Sequence, residues 1–116
     1  MIISTVDTDD YWSCLIRRGM LHSETEAIEH WTLAPGQELR LGTQGVHEAL
    51  LLLSGTATVA GETLKPGSLL LAPALQSGAL TATTTTHILS IRTYPGHVTR
   101  VLPARIPELP EAERAI

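Results

Sequence analysis

EALLLLSGTATVAGE, residues 48–62, is the stretch whose reading sets the fold class. Its apolar run from Ala49 to Leu53 is too short for a stable helix and ends at Ser54-Gly55. TATV follows at once and closes on Ala60-Gly61. Two adjoining strands joined by a glycine turn fit this pattern, the first covered on both sides. Working outward, GETLKPG (61–67) supplies a turn and SLLLAP (68–73) a strand stopped by Pro73. ALQSG (74–78) reads as a loop before the strands ALTATTTT (79–86) and HILSIRTY (87–94), with TATTTT the β-branched part of a solvated edge strand. Upstream, Pro35-Gly36 turns the chain between AIEHWTL (27–33) and QELRLGTQ (37–44). If extended, the first groups Ile28, His30 and Thr32 on one face. The second puts Leu39 and Leu41 on one face and Glu38, Arg40, Gly42 and Gln44 on the other. SCLIRRGM (13–20) is a further short strand.

Short strands at regular intervals with glycine and proline punctuation signal an all-β sandwich or barrel instead of alternating βα units. The 116 residues, 43% hydrophobic and 17% charged, suit one domain. The barrel is expected over about 27–94, with an N-terminal strand at 13–20 and a proline-rich arm over 95–116. Pro103, Pro107 and Pro110 extend that arm, and PEAERAI closes it with a turn or two of helix. A net charge of −4 offers no basic footprint for phosphates, which excludes nucleic acid as the expected partner. No apolar run is long enough for a membrane span, and acid stands in MIISTVDTDD where a signal peptide carries base, so a cytoplasmic location is expected. The single cysteine, Cys14, has no bridge partner within the chain and is expected to be packing. No GxSxG, P-loop or GxGxxG occurs.

LAPGQELRL (33–41), EALLLLSGTATVAGE and LKPGSLLLAP (64–73), in that order and at that spacing, resemble the two motifs of a small single-domain cupin. The resemblance covers about Ala27 to Tyr94 and implies a double-stranded β-helix, or jelly-roll barrel. It also implies where a metal would sit, and there the sequence departs. The two histidine positions after the PG turn are Gly42 and Gln44, the glutamate position is Glu48, and the histidine of the second motif is Gly78. One carboxylate and one neutral amide are a poor donor set for a divalent metal, so no metal and no other cofactor is expected.

What the resemblance leaves in the lumen is Glu48, flanked by Arg40 and Gln44. A carboxyl in an apolar barrel is pushed towards its neutral form and a nearby guanidinium pulls it back, which makes it a tunable general acid or base. Arg40 would stabilise developing oxyanion charge and Gln44 would orient a carbonyl. The plainer account of Glu48 and Arg40 is an ion pair that only completes the barrel interior. His30 is the candidate second proton carrier, and His87, which opens the last strand and would come from the opposite sheet, is expected to contact the substrate. His47, adjacent to Glu48, should face the other way, while His22 and His97 fall in loops. Leu50, Leu52, Leu69, Leu71 and Leu89 are expected to wall the substrate pocket.

These residues suggest a metal-independent enzyme acting on a small organic molecule by proton transfer, a cyclase, isomerase, epimerase or dehydratase of the kind that serves natural-product pathways. One alternative is a non-catalytic, small-molecule-binding or sensory barrel. Another is a metal-dependent enzyme with displaced ligands drawn from Glu48, His30, His47 and His87. Leu39, Leu41, Leu51 and Leu53 are expected to face away from the lumen, and a homodimer would cover them.

Overall fold

The computed structural model describes residues 8–17 and 25–101. Nine strands run in chain order: β1 (Trp12–Arg17), β2 (Thr25–Leu33), β3 (Glu38–Leu41), β4 (His47–Ser54), β5 (Ala57–Val59), β6 (Glu62–Leu64), β7 (Leu69–Ala72), β8 (Gly78–Ala82) and β9 (Thr86–Thr93). A single helical turn, α1 (Gly96–Thr99), follows. Strands β1-β2-β9-β4-β7 form one sheet and β3-β8-β5-β6 the other, with every pairing antiparallel. The longest strands, β2, β4 and β9, lie side by side at the centre of the first sheet, as expected for the most apolar runs.

Period-two alternation then fixes which side chains meet between the sheets. Leu33, Leu50, Leu52 and Ile88 point inward from the first sheet and pack on Leu39, Leu41, Ala57, Leu80 and Ala82 of the second. Leucine and alanine fill this core without any phenylalanine, the chain having none. Gly55 makes the turn between β4 and β5 at φ +82°. A Cβ there would stand 2.1 Å from the Thr85 carbonyl oxygen, so no other residue fits.

Several elements depart from the alternation expected of the sequence. The phase of β3 is inverted: Leu39 and Leu41 are buried in the core and Arg40 is exposed, because β3 packs its leucines against Leu80 of β8. In β7 it is Leu70 and Ala72 that turn inward, while Leu69 and Leu71 are exposed, the latter by 67%. Leu53 is exposed and Leu51 half-buried on the outer face of the first sheet, as expected of them. Cys14 is exposed instead of packed.

TATTTT is not one strand. β8 stops at Ala82 and β9 starts at Thr86, because threonine hydroxyls between them bind the backbone of Thr56. Thr83 and Thr86 Oγ1 each donate to the Thr56 carbonyl at 3.0 Å, and Thr56 N–H donates to Thr84 Oγ1 at 2.9 Å. Such local bonds compete with the sheet ladder. The residues after Pro95, read as an extended arm, begin instead with α1, whose Val98 and Thr99 N–H groups donate to the Pro95 carbonyl. The rest of that arm, and residues 18–20 of the N-terminal strand, lie outside the described residues. Among the described residues no helix is long and apolar enough to cross a membrane.

Candidate functional site

The inward face of the first sheet changes character along its length. It is apolar around Leu33, Leu52 and Ile88 and becomes charged towards the other end of β9, where Arg92 lies opposite Glu48 of β4 and Ala27 of β2. Glu29, two residues along β2, shares this face. Glu26 joins it because the register of β2 slips between Thr25 and Ala27, and a bulge re-aims a side chain that strict alternation would send outward.

Arg92 is the hub. Its Nε donates to Glu26 Oε2 at 2.8 Å and stands 3.7 Å from Glu29 Oε1. Its Nη1 is 3.3 Å from Glu48 Oε2, and its Nη2 donates to Gln44 Oε1. Burial works against the Arg92 charge, but the hydrogen bond to Glu26 and the charges of Glu48, Glu26 and Glu29 outweigh it and hold the guanidinium firmly protonated. Glu48 is 7% exposed. Burial pushes its carboxyl above the ordinary 4.5, Arg92 pulls it down, and the neighbouring Glu29 and Glu26 push it up again, so that the net direction is upward.

A cavity of about 360 Å³ opens on this cluster. Glu29, Glu48 and Arg92 line its inner side, and Tyr11, Trp12 and Trp31 line one wall. Arg40, Thr43 and Gln44 lie towards solvent at its rim. The wall is built by β1 and the residues before it. Trp12 pairs with Trp31, Thr32 N–H donates to the Tyr11 carbonyl at 2.9 Å, and Tyr11 packs edge-on against Trp31 with ring centres 5.3 Å apart. Trp12 Nε1 donates to Glu29 Oε2 at 2.8 Å.

Of the residues singled out from the sequence, the structure brings Glu48, Gln44 and Arg40 to this one cavity and sends the others elsewhere. Arg40 is not the ion-pair partner of Glu48; Arg92 is. His30 and His87 sit on the outer face of the first sheet, opposite Leu89 and Thr32 respectively, with ring centres 5.5 Å apart. Neither can exchange a proton with Glu48. Burial, and then His87, lowers the His30 pKa, and His87 Nδ1 is 3.1 Å from Thr32 Oγ1. Leu89 shares that outer face, Leu71 points to solvent, and Leu50 and Leu52, each 2% exposed, are core and closed to a ligand.

Sequence reasoning missed Arg92, Glu29, Glu26 and the aromatic wall. The available signal was a polar row, Ser90 and Arg92, alternating with Leu89 and Ile91 in HILSIRTY. Such a row is read as solvent-facing unless the neighbouring strand is known to bring carboxylates to it.

The residues at the expected metal position do not fit a divalent ion. A guanidinium already neutralises Glu48 and holds the Gln44 amide oxygen. A side chain at Gly42 would drive its Cβ to 2.3 Å from the Gln76 carbonyl oxygen. A displaced set built on His30, His87 and Glu48 would have to coordinate through the sheet, and His47 Nδ1 already accepts the Ala74 N–H at 3.0 Å.

No protein-family model matches the chain, and no curated protein matches it. Solved structures do. A Cupin 2 conserved barrel domain protein from Salinispora arenicola superposes with a TM-score of 0.68 at 13% identity, over 86% of this chain and 94% of that one. A predicted oxalate decarboxylase from Thermotoga maritima gives 0.62 at 18% identity, over 72% and 79%. A transcriptional regulator from Vibrio cholerae gives 0.60 at 20% identity, over 72% of this chain and 50% of that one. Two facing antiparallel sheets and these superpositions show that the chain has the fold of the cupins, a double-stranded β-helix.

Proposed function

We propose that the cavity beside Arg92 binds a small organic molecule and that Glu48 moves a proton on it without a metal, in an isomerisation, cyclisation, epimerisation or dehydration. The observation that carries this reading is a buried carboxyl with a raised pKa lining a cavity of substrate size. Desolvation keeps Glu48 basic enough to take a proton when ionised, and the fixed Arg92 charge keeps the ionised form accessible. Gln44, its oxygen tied to Arg92, leaves its NH₂ group as a donor at the rim, and Arg40 can follow charge developing on the outer part of the ligand. Glu48 is both acceptor and donor of the proton in this scheme, since His30 lies behind the sheet.

A non-catalytic, ligand-binding role is the second reading, favoured by the likeness to part of a transcriptional regulator. Both readings require that a small molecule enter here. Thr43→Trp fills the mouth from an exposed rim position and tests that requirement. Mass spectrometry of compounds retained from a metabolite extract should show the same molecule enriched by the natural protein and by Glu48→Gln, and retained about tenfold less by Thr43→Trp. Undiminished retention by Thr43→Trp places binding outside this cavity and contradicts both readings.

A further inference from the structure

Three of the four aromatic residues in the chain, Tyr11, Trp12 and Trp31, line this one cavity. Around it stand four carboxylates, Glu26, Glu29, Glu38 and Glu48, against two guanidinia, Arg40 and Arg92. Three of the five Arg92 N–H donors are directed at protein groups, Nε at Glu26, Nη1 at Glu48 and Nη2 at Gln44. The acceptors are less fully used. Glu29 is 9% exposed, Trp12 occupies its Oε2, and its Oε1 is buried without a hydrogen bond. Its nearest cationic group among the described residues is Arg92 Nε at 3.7 Å, and a buried carboxylate oxygen without a hydrogen bond is stabilised by a donor.

A ligand bearing a carboxylate would meet surplus negative charge and a guanidinium whose own charge is already offset by Glu26, Glu29 and Glu48. A ligand bearing a protonated nitrogen would supply the missing donor and offset that charge, with its apolar body against indole and phenol rings that themselves favour cations. We infer that the cavity selects organic amines in their protonated form, the ammonium donating to the Glu29 carboxylate while the hydrocarbon part lies along Trp12 and Trp31.

This inference rests on the cavity being the binding site, and the test separates the two. Three probes of similar shape, 2-phenylethylammonium, 2-phenylethanol and 3-phenylpropionate, are titrated into the full chain near neutral pH by calorimetry and tryptophan fluorescence. The ammonium should bind about tenfold more tightly than the alcohol and the carboxylate more weakly than either. Glu29→Gln should remove most of the ammonium advantage and leave the alcohol unchanged. Trp12→Leu, at a half-exposed position, should weaken the ammonium more than the alcohol, which keeps the test open if Glu29→Gln does not fold. Equal affinities, or preference for the carboxylate, overturn the amine inference while leaving a small-molecule site in place. No binding by any probe counts against both.

Discussion

Replacing Arg92 with methionine is expected to cost roughly 3–5 kcal/mol of stability at neutral pH, the range for breaking a buried ion pair from one side. The guanidinium is flanked by Glu26, Glu29 and Glu48, and methionine keeps most of the volume while removing the only positive charge among them in the described residues. Against a total of about 5–15 kcal/mol for a domain, that loss should leave the variant partly unfolded. The sign of the pH response identifies the cause. Without Arg92 the Glu48 carboxyl, already raised by burial, loses the charge that pulls it down, so stability should return as pH falls and it takes up a proton. Arg40→Met, at an exposed position, should change stability by no more than about 0.5 kcal/mol. Urea denaturation of both variants at pH 7 and at about pH 4.5 measures this. An Arg92→Met protein as stable as its parent would mean that the cluster carries no net electrostatic weight.

Glu48→Gln is expected to lower turnover by roughly 10²–10⁴-fold on the molecule that the cavity retains, since it removes the proton carrier and keeps the shape. Affinity for that molecule should hold, which assigns the loss to chemistry and not to binding. The same substitution should stabilise the fold at neutral pH. The folded pKa of Glu48 is raised above 4.5, so its protonated form contributes stability that is fully present below 4.5 and lost as pH rises through the folded value. An amide cannot ionise and avoids that loss. Thermal unfolding should therefore favour the variant at pH 7, with the advantage closing under acid. Activity gained at the expense of stability is the usual signature of a functional group. A variant with full turnover removes Glu48 from the mechanism.

The division between what was legible in the sequence and what was not follows from the range of the interactions. Gly55, Pro35-Gly36 and Pro73 are local turn requirements, and together with the run through Leu50 and Leu52 they are enough to read out a barrel. Glu48 was legible because the motif spacing fixes its position on β4. The phase of β3 was not, because LRL alternates equally well in either sense until Leu80 of β8 supplies the surface that Leu39 packs on. Strict alternation also fails at Gly42, where φ is +73° and the chain leaves the strand, so Gln44 reaches Arg92 from a loop and not as a strand neighbour of Arg40. Arg92 lies 44 positions from Glu48 and meets it only through the β4–β9 register. Glu26 needed a bulge. His30 and His87 were misplaced for a related reason: once Glu29 and Trp31 turn inward, the histidine between them has to face out.

The most direct measurement is the titration of the Glu48 side-chain carboxyl by carbon-detected NMR, assigned by its absence in Glu48→Gln. A midpoint above 4.5 is expected, moving further upward when Arg92 is replaced. A midpoint at or below 4.5 would mean a carboxylate permanently ionised in an ion pair, and Glu48 would then be a structural residue with no proton to trade.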